Sequence, residues 1–387
     1  MHIAQRGSIR PFEVMEAFRE AAQLEAAGKH IVHLSLGQPA TQLPDDALSS
    51  IYAAMRRAPM GYTDARGMPE LRERIAQHYH DHYRLTIPAH RIFVTVGSSA
   101  AFMMALLASF DVGQRVGIAL PCYPAYPNMM QSMGLVSCGL RADASLGFQP
   151  DVALLKAAPP LDGLVIASPS NPTGSVLSPE ALRDISAYTR THNIQVISDE
   201  IYHHVTYDGT AYDTILRYDD EAIVVNSFSK YYLLSGWRLG WAVIPERLVR
   251  SYESIVQSFF ISPPAISQYA ALAIWEHDDL LRSTVARYAH NRSRLKETLE
   301  QIGFRELNAA HGAFYLYGEC SALSADSRTL CQRLLHEAGV CAVAGTDFDQ
   351  EQGHRYVRFS FCGDMKDIEE ACIRLKAWHK SFVHGVL

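Results

Sequence analysis

Lys230 and Arg238 stand eight residues apart in the stretch SFSKYYLLSGWRLGW, Ser227 to Trp241. Two hydroxyls, Ser227 and Ser229, precede the lysine, and Gly236 and Gly240 frame the arginine. A lysine amine condenses with a carbonyl to give a Schiff base. An arginine offers a planar fork of donors that matches phosphate oxygens, and serine hydroxyls add to it. An amine beside a phosphate site therefore suits a phosphorylated aldehyde. The plainer reading of the same stretch is a surface lysine in a turn, and a short motif does not settle the matter alone.

The elements around this stretch must hold it still. An apolar run, Ala222 to Phe228, precedes the lysine and reads as a buried strand, and WRLGWAVIP reads as another. Lys230 then sits on a loop between strands, where a rigid scaffold can present it to a cleft. The same pattern recurs upstream. The strand Phe93 to Gly97 runs into SSAAFMMALLASF, so that Ser98 and Ser99 open an apolar helix. Free amides and the helix dipole favour an anion there, against the plainer reading of a serine cap. The strand Leu164 to Ala167 ends in SPSNPTG, whose Pro172 and Gly174 fix a turn that aims Asn171. The strand Ile194 to Ser198 delivers Asp199, a carboxylate that is costly to bury without a positive partner. Tyr202 follows three residues on, on the same side. Strand ends that each carry a polar group are where open α/β sheets bind ligands.

A phosphorylated aldehyde on a lysine points to pyridoxal phosphate. Asp199 opposite the pyridine nitrogen would keep that ring protonated and make it an electron sink. The spacing from Ser227 through Gly240 resembles the lysine signature of the class I/II aminotransferases of fold type I, which are pyridoxal-phosphate enzymes like aspartate aminotransferase. The likeness spans Ile31 to Phe361. It implies an α/β fold: a large domain, residues 45–280, with a mostly parallel seven-stranded sheet between helices, and a smaller α+β domain from residues 1–44 and 281–387. It also implies the remaining roles. Tyr123 in PCYPAYP stacks on the ring, and Asn171 and Tyr202 face its phenolic oxygen. Ser98, Ser99, Ser227, Ser229 and Arg238 hold the phosphate. Gly37 in LGQP and Arg358 in the Val343–Phe361 segment meet the substrate carboxylate, together with Asn171. Tyr62 in GYTDARGMPELR crosses to the phosphate of a second copy, which makes the protein a homodimer. Lys230, Asp199 and Tyr202 are the expected catalytic residues of an aminotransferase that moves an amino group from an L-amino acid to a 2-oxo acid with ping-pong kinetics.

Bulk properties agree. A chain of 387 residues exceeds one ordinary core, and a net charge of -6 with no basic run argues against nucleic-acid binding. Seven scattered cysteines, without a CxxC, read as reduced thiols of a cytoplasmic protein. No apolar stretch reaches membrane-spanning length, and the first residues lack an apolar signal region. His78, His80 and His82 in HYHDHY alternate, which reads as a solvated helix end, and no metal is expected. His203 and His204 receive no chemistry. A pyridoxal-phosphate β-lyase is the nearest rival, set aside because Ser170 stands where such lyases carry a histidine. A non-catalytic regulatory protein on the same fold is the more distant one. Gln38 and Tyr231–Tyr232 depart from the commonest pattern of the resemblance.

Overall fold

The computed structural model describes residues 3–58 and 60–383. Seven strands form the main sheet: β1 (Ile92–Thr95), β2 (Arg115–Leu120), β3 (Val136–Arg141), β4 (Gly163–Ala167), β5 (Gln195–Asp199), β6 (Ile223–Ser227) and β7 (Gly240–Val243). Their order is β1-β7-β6-β5-β4-β2-β3. The pairs from β3 through β6 are parallel, and β7 runs antiparallel to both β1 and β6.

The reason is legible in the strands. Successive side chains point to opposite faces, and here both faces are apolar. In β6, Val224 packs into one cluster while Ile223 and Val225 pack into the other. In β4, Leu164 and Ile166 oppose Val165, and in β1, Ile92 and Val94 oppose Phe93. A sheet apolar on both faces must be covered on both, the usual condition of parallel strands joined by helices. One such cover is the helix Gly97–Ser109, which buries Ala101, Met104 and Ala105 against the sheet. Another is Pro179–Thr191, which starts where the Ser178 hydroxyl accepts from the Ala181 amide at 3.2 Å and Pro179 occupies the first turn. Each large aliphatic side chain buried this way contributes roughly 1.5–3 kcal/mol.

A second core lies around a three-stranded antiparallel sheet of Val343–Ala344, Tyr356–Ser360 and Tyr315–Glu319. The helices Asp278–Gln301 and Met365–Val383 cover it with Leu295, Leu299, Leu375 and Trp378. Near the N-terminus, Val32–His33 pairs in parallel with Val340–Cys341. That strand is only two residues long. The strand expected from Trp237 begins instead at Gly240, because Ser235–Trp237 forms a helical turn and Arg238 takes a left-handed conformation, φ 52°. Among the described residues no helix is long and apolar enough to cross a membrane.

Candidate active site

The carboxyl ends of β4, β5 and β6 and the start of the helix after β1 open into one cavity of about 380 Å³. Asp199 is the last residue of β5 and is 4% exposed. Its carboxylate accepts from the Tyr126 hydroxyl and, at 3.2 Å, from the Ile201 amide. Burial raises its pKa to about 6, against the pull of those two hydrogen bonds. Such a carboxylate is poised to receive a cationic or N–H partner from the cavity.

Lys230 stands on the loop after β6. The turn is tied by the Ser229 amide donating to the Ser227 hydroxyl (3.0 Å) and by the Ser235 hydroxyl donating to the Ser229 carbonyl (2.7 Å). The Lys230 amine donates to the Gly37 carbonyl at 2.8 Å. Burial pushes its pKa down to about 8, and the charges of Arg358 and Arg238 act in the same direction. Gly37 has to be glycine: a Cβ there would lie 1.7 Å from the Tyr315 hydroxyl.

Two arginines face the cavity from different sides. Arg238 donates to the Ser235 carbonyl at 2.9 Å and pairs with no carboxylate among the described residues. Its guanidinium lies over Gly97, where an added Cβ would come within 2.7 Å of Nη2. Gly97, at φ 75°, opens the helix whose first turn carries Ser98 and Ser99, and both line the cavity. An unpaired guanidinium beside free helix amides and two hydroxyls is an anion cradle. Arg358 is held differently. On the strand Tyr356–Ser360 it donates to Asn171 Oδ1 at 2.9 Å and to the Ser35 carbonyl, and its guanidinium lies 4.4 Å from the Tyr315 ring centre and 4.7 Å from that of Phe348. Its buried Nε has no partner among the described residues.

Tyr202 meets Tyr315 hydroxyl to hydroxyl at 2.9 Å, and burial pushes its phenol pKa upward. Tyr123 lines the cavity with its ring 6.0 Å from that of Phe12 and 5.6 Å from that of Tyr126. Asn171 lines it too. Because its Oδ1 accepts from Arg358, its amide nitrogen is left to donate. The residues expected at the site thus share one cavity, apart from two. Ser227 does not reach it: the residue is 1% exposed, and its hydroxyl accepts the Ser229 amide. It closes β6 and shapes the lysine loop. Tyr62 is 83% exposed and outside the cavity in this chain. Ser170 spends its hydroxyl within its own turn, on Thr173 and, at 3.2 Å, on Ser175.

The sequence reading missed Tyr126 and Tyr315. Tyr126 follows Tyr123 by one helical turn at the start of Ala125–Met133, a spacing that could have revealed it. Tyr315 belongs to the distant small sheet, and no local signal marks it. The solvated helix end expected at His78–Tyr83 is found in part: His80, Asp81 and His82 are exposed. His78, Tyr79 and Tyr83 are buried, because the last turn of the helix Pro69–Tyr83 packs against Trp241, Trp275 and the turn holding His203 and His204.

Comparison with known proteins places the chain among pyridoxal-phosphate-dependent aminotransferases, consistent with the sheet, the lysine and the anion cradle just described. The chain belongs to the family described as "Aminotransferase class I and II", which it matches over residues 29–375. It is 38% identical to a valine–pyruvate aminotransferase of Mycobacterium tuberculosis across 97% of this chain and 98% of that one. The crystal structure of an aminotransferase from Mycobacterium tuberculosis superposes with a TM-score of 0.96 at 38% identity, covering 98% of this chain and 100% of the other. The aspartate aminotransferase of Thermus thermophilus, solved with maleate, superposes with a TM-score of 0.91 at 28% identity over 98% of this chain and 100% of that one.

Proposed function

We propose that this cavity carries transamination between an L-amino acid with an apolar side chain and a small 2-oxo acid, with Lys230 as the base. The observation that carries the reading is the placement of Lys230 and Asp199 on neighbouring strand ends, in one cavity, between an unpaired arginine and an anchored one. The residues present fit the cofactor of the family. Arg238, Ser98, Ser99 and Ser229 would hold its phosphate, Asp199 its ring nitrogen, Tyr202 and Asn171 its phenolic oxygen, Tyr123 its ring face and Lys230 its aldehyde carbon. Pyridoxal phosphate, when bound, supplies the aldehyde that exchanges with the amino group and the ring that takes up the electrons of the broken Cα–H bond.

The chain's own residues do the rest. Arg358 grips the α-carboxylate with two parallel hydrogen bonds, and Asn171 and Ser35 keep its guanidinium in place for that. The Lys230 amine, half neutral at about pH 8 and more so above it, removes the proton from Cα, a contribution of about 10²–10⁴-fold. Asp199 stays ionised once an N–H faces it, and Tyr126 orients it. The two half-reactions give ping-pong kinetics.

The side-chain preference rests on the wall opposite. Phe12, Val14, Met15, Leu36 and Met129 line it, and the basic residues lining the cavity are Lys230, Arg238 and Arg358 among the described residues. A side-chain carboxylate therefore finds no free cation from this chain, whereas an aliphatic side chain meets apolar surface. The name of the Mycobacterium tuberculosis relative, a valine–pyruvate aminotransferase, fits this preference. Mixing the holoenzyme with single amino acids and following the cofactor absorbance tests it. Valine, leucine and alanine should convert the cofactor faster than aspartate or glutamate. Faster conversion by aspartate overturns the preference, and no conversion by any amino acid overturns the reaction.

The division into residues 45–280 and residues 1–44 with 281–387 belongs to this proposal, as does a homodimer in which Tyr62 reaches the partner's phosphate site. Its support is the exposure of Tyr62 beside Met60, also exposed, at a surface depression shared with Val96 and Pro263. A cytoplasmic location is the matching reading of seven free thiols.

A further inference from the structure

The strongest unexplained cluster lies away from the cavity, at the end of the helix Pro69–Tyr83. His78 and His82 stand four residues apart on one face of that helix, and His204 comes to meet them from the turn after Tyr202. One ring nitrogen from each of the three lies within 4.8 Å of the other two. His78 Nε2 and His204 Nε2 are 3.3 Å apart. The ring centres are 4.5 Å apart for His78–His82 and for His82–His204, and 5.0 Å for His78–His204.

We infer that His78, His82 and His204 form a binding site for one divalent late-transition-metal ion of the zinc(II) class. A tetrahedral zinc with bonds of about 2.0–2.1 Å sets its ligand nitrogens about 3.3–3.4 Å apart. The His78–His204 pair already has that separation. His82 is solvent-exposed on the last helical turn, so a rotamer change suffices to bring its nitrogen in. Imidazoles without thiolates suit zinc, copper and nickel rather than calcium or magnesium.

Further observations favour a built site over chance packing. His204 is held at φ 69°, a left-handed conformation that a histidine adopts at a cost, and this aims its ring at the other two. Its second nitrogen, Nδ1, meets the Tyr212 hydroxyl at 3.0 Å, the kind of outer partner that fixes the orientation of a metal-bound imidazole. The ion would tie the helix end to two active-site loops. His204 lies two residues past Tyr202, and its ring centre is 5.0 Å from that of Tyr231, the neighbour of Lys230.

The test uses the holoenzyme, stripped with a chelator and titrated with zinc chloride against a chromophoric competitor, then with cobalt(II) for its tetrahedral absorption bands. Wild type should bind one ion per chain and show a raised unfolding temperature. His82→Ala removes an exposed side chain and should weaken zinc binding at least about tenfold, since loss of an outer partner alone costs 10–100-fold. His204→Asn, an exchange that tolerates the left-handed backbone, should do the same. His80→Ala, exposed on the same helix, is the control and should bind as wild type does. Equal zinc affinity in wild type and His82→Ala, or no ion bound by wild type, overturns the site. The His82→Ala comparison also separates it from zinc held by the cofactor or by Lys230.

Discussion

The two arginines of the cavity are built on opposite plans. Arg358 is 4% exposed, clamped by Asn171 and Ser35 and sandwiched between Tyr315 and Phe348. Arg238 is exposed, makes one hydrogen bond to its own loop and hangs over a helix end. The difference matches the residence of what each would hold. A substrate that enters and leaves every turnover gains from a guanidinium fixed beforehand, because little ordering remains to be done on binding. A phosphate that stays bound can complete its own site, with the helix amides and serines as fixed partners.

Perturbations at and between these two ends sharpen the contrast. The largest effect is expected at Lys230, which lies between them. Lys230→Ala should abolish turnover and the absorbance of the lysine-bound cofactor together, checked by visible spectroscopy and a steady-state assay. Full turnover in this variant breaks the account. Next is Arg358→Lys, which keeps the charge and loses the fork. We expect KM for the amino acid to rise about 10–100-fold, equivalent to the roughly 1.5–3 kcal/mol of a charged hydrogen bond, with cofactor content unchanged. Arg238→Gln should show the reverse pattern. Cofactor affinity falls about tenfold, as for loss of a charge-assisted hydrogen bond, and excess pyridoxal phosphate restores kcat with KM for the amino acid near wild type. If both arginine variants moved KM alike, the contrast would be lost.

The smallest effect concerns the protein without its cofactor. Burial lowers the Lys230 pKa from 10.5 to about 8, so between those values the unfolded chain binds a proton that the folded chain has shed. Stability of the apoenzyme must then rise with pH through this window and fall away as pH drops toward 8. Asp199 acts with the opposite sign. Its folded pKa is raised from 3.8 to about 6, so its contribution is complete below about pH 4 and is lost as pH climbs to 6. Denaturant midpoints of apoenzyme between pH 8 and 10.5 should show the first slope in wild type and not in Lys230→Met.

Much of this was legible in the chain itself, for identifiable reasons. The strands of the main sheet are continuous apolar runs, so Val224–Val225 or Leu164–Ile166 could hardly be anything else. Polar residues at their ends, Asp199, Asn171 and Lys230, then fell into place. What stayed hidden depends on distant segments meeting. Tyr315 reaches Tyr202 across 113 positions, and His204 reaches His78 across 126. His78, His80 and His82 invited attention to their spacing of two, whereas the pair that matters is the one four apart. Ser227 and Ser229 looked equivalent, and the end of β6 between them sends one inward and one to the cavity.

Gly97 has a consequence of its own. Any side chain there would press on the Arg238 guanidinium and also oppose the left-handed backbone. The chemistry at Lys230 and Arg358 would be untouched. An enzyme carrying such a substitution should therefore reach full activity only at a higher concentration of pyridoxal phosphate, so one missing methyl group sets how scarce the cofactor can become before activity falls.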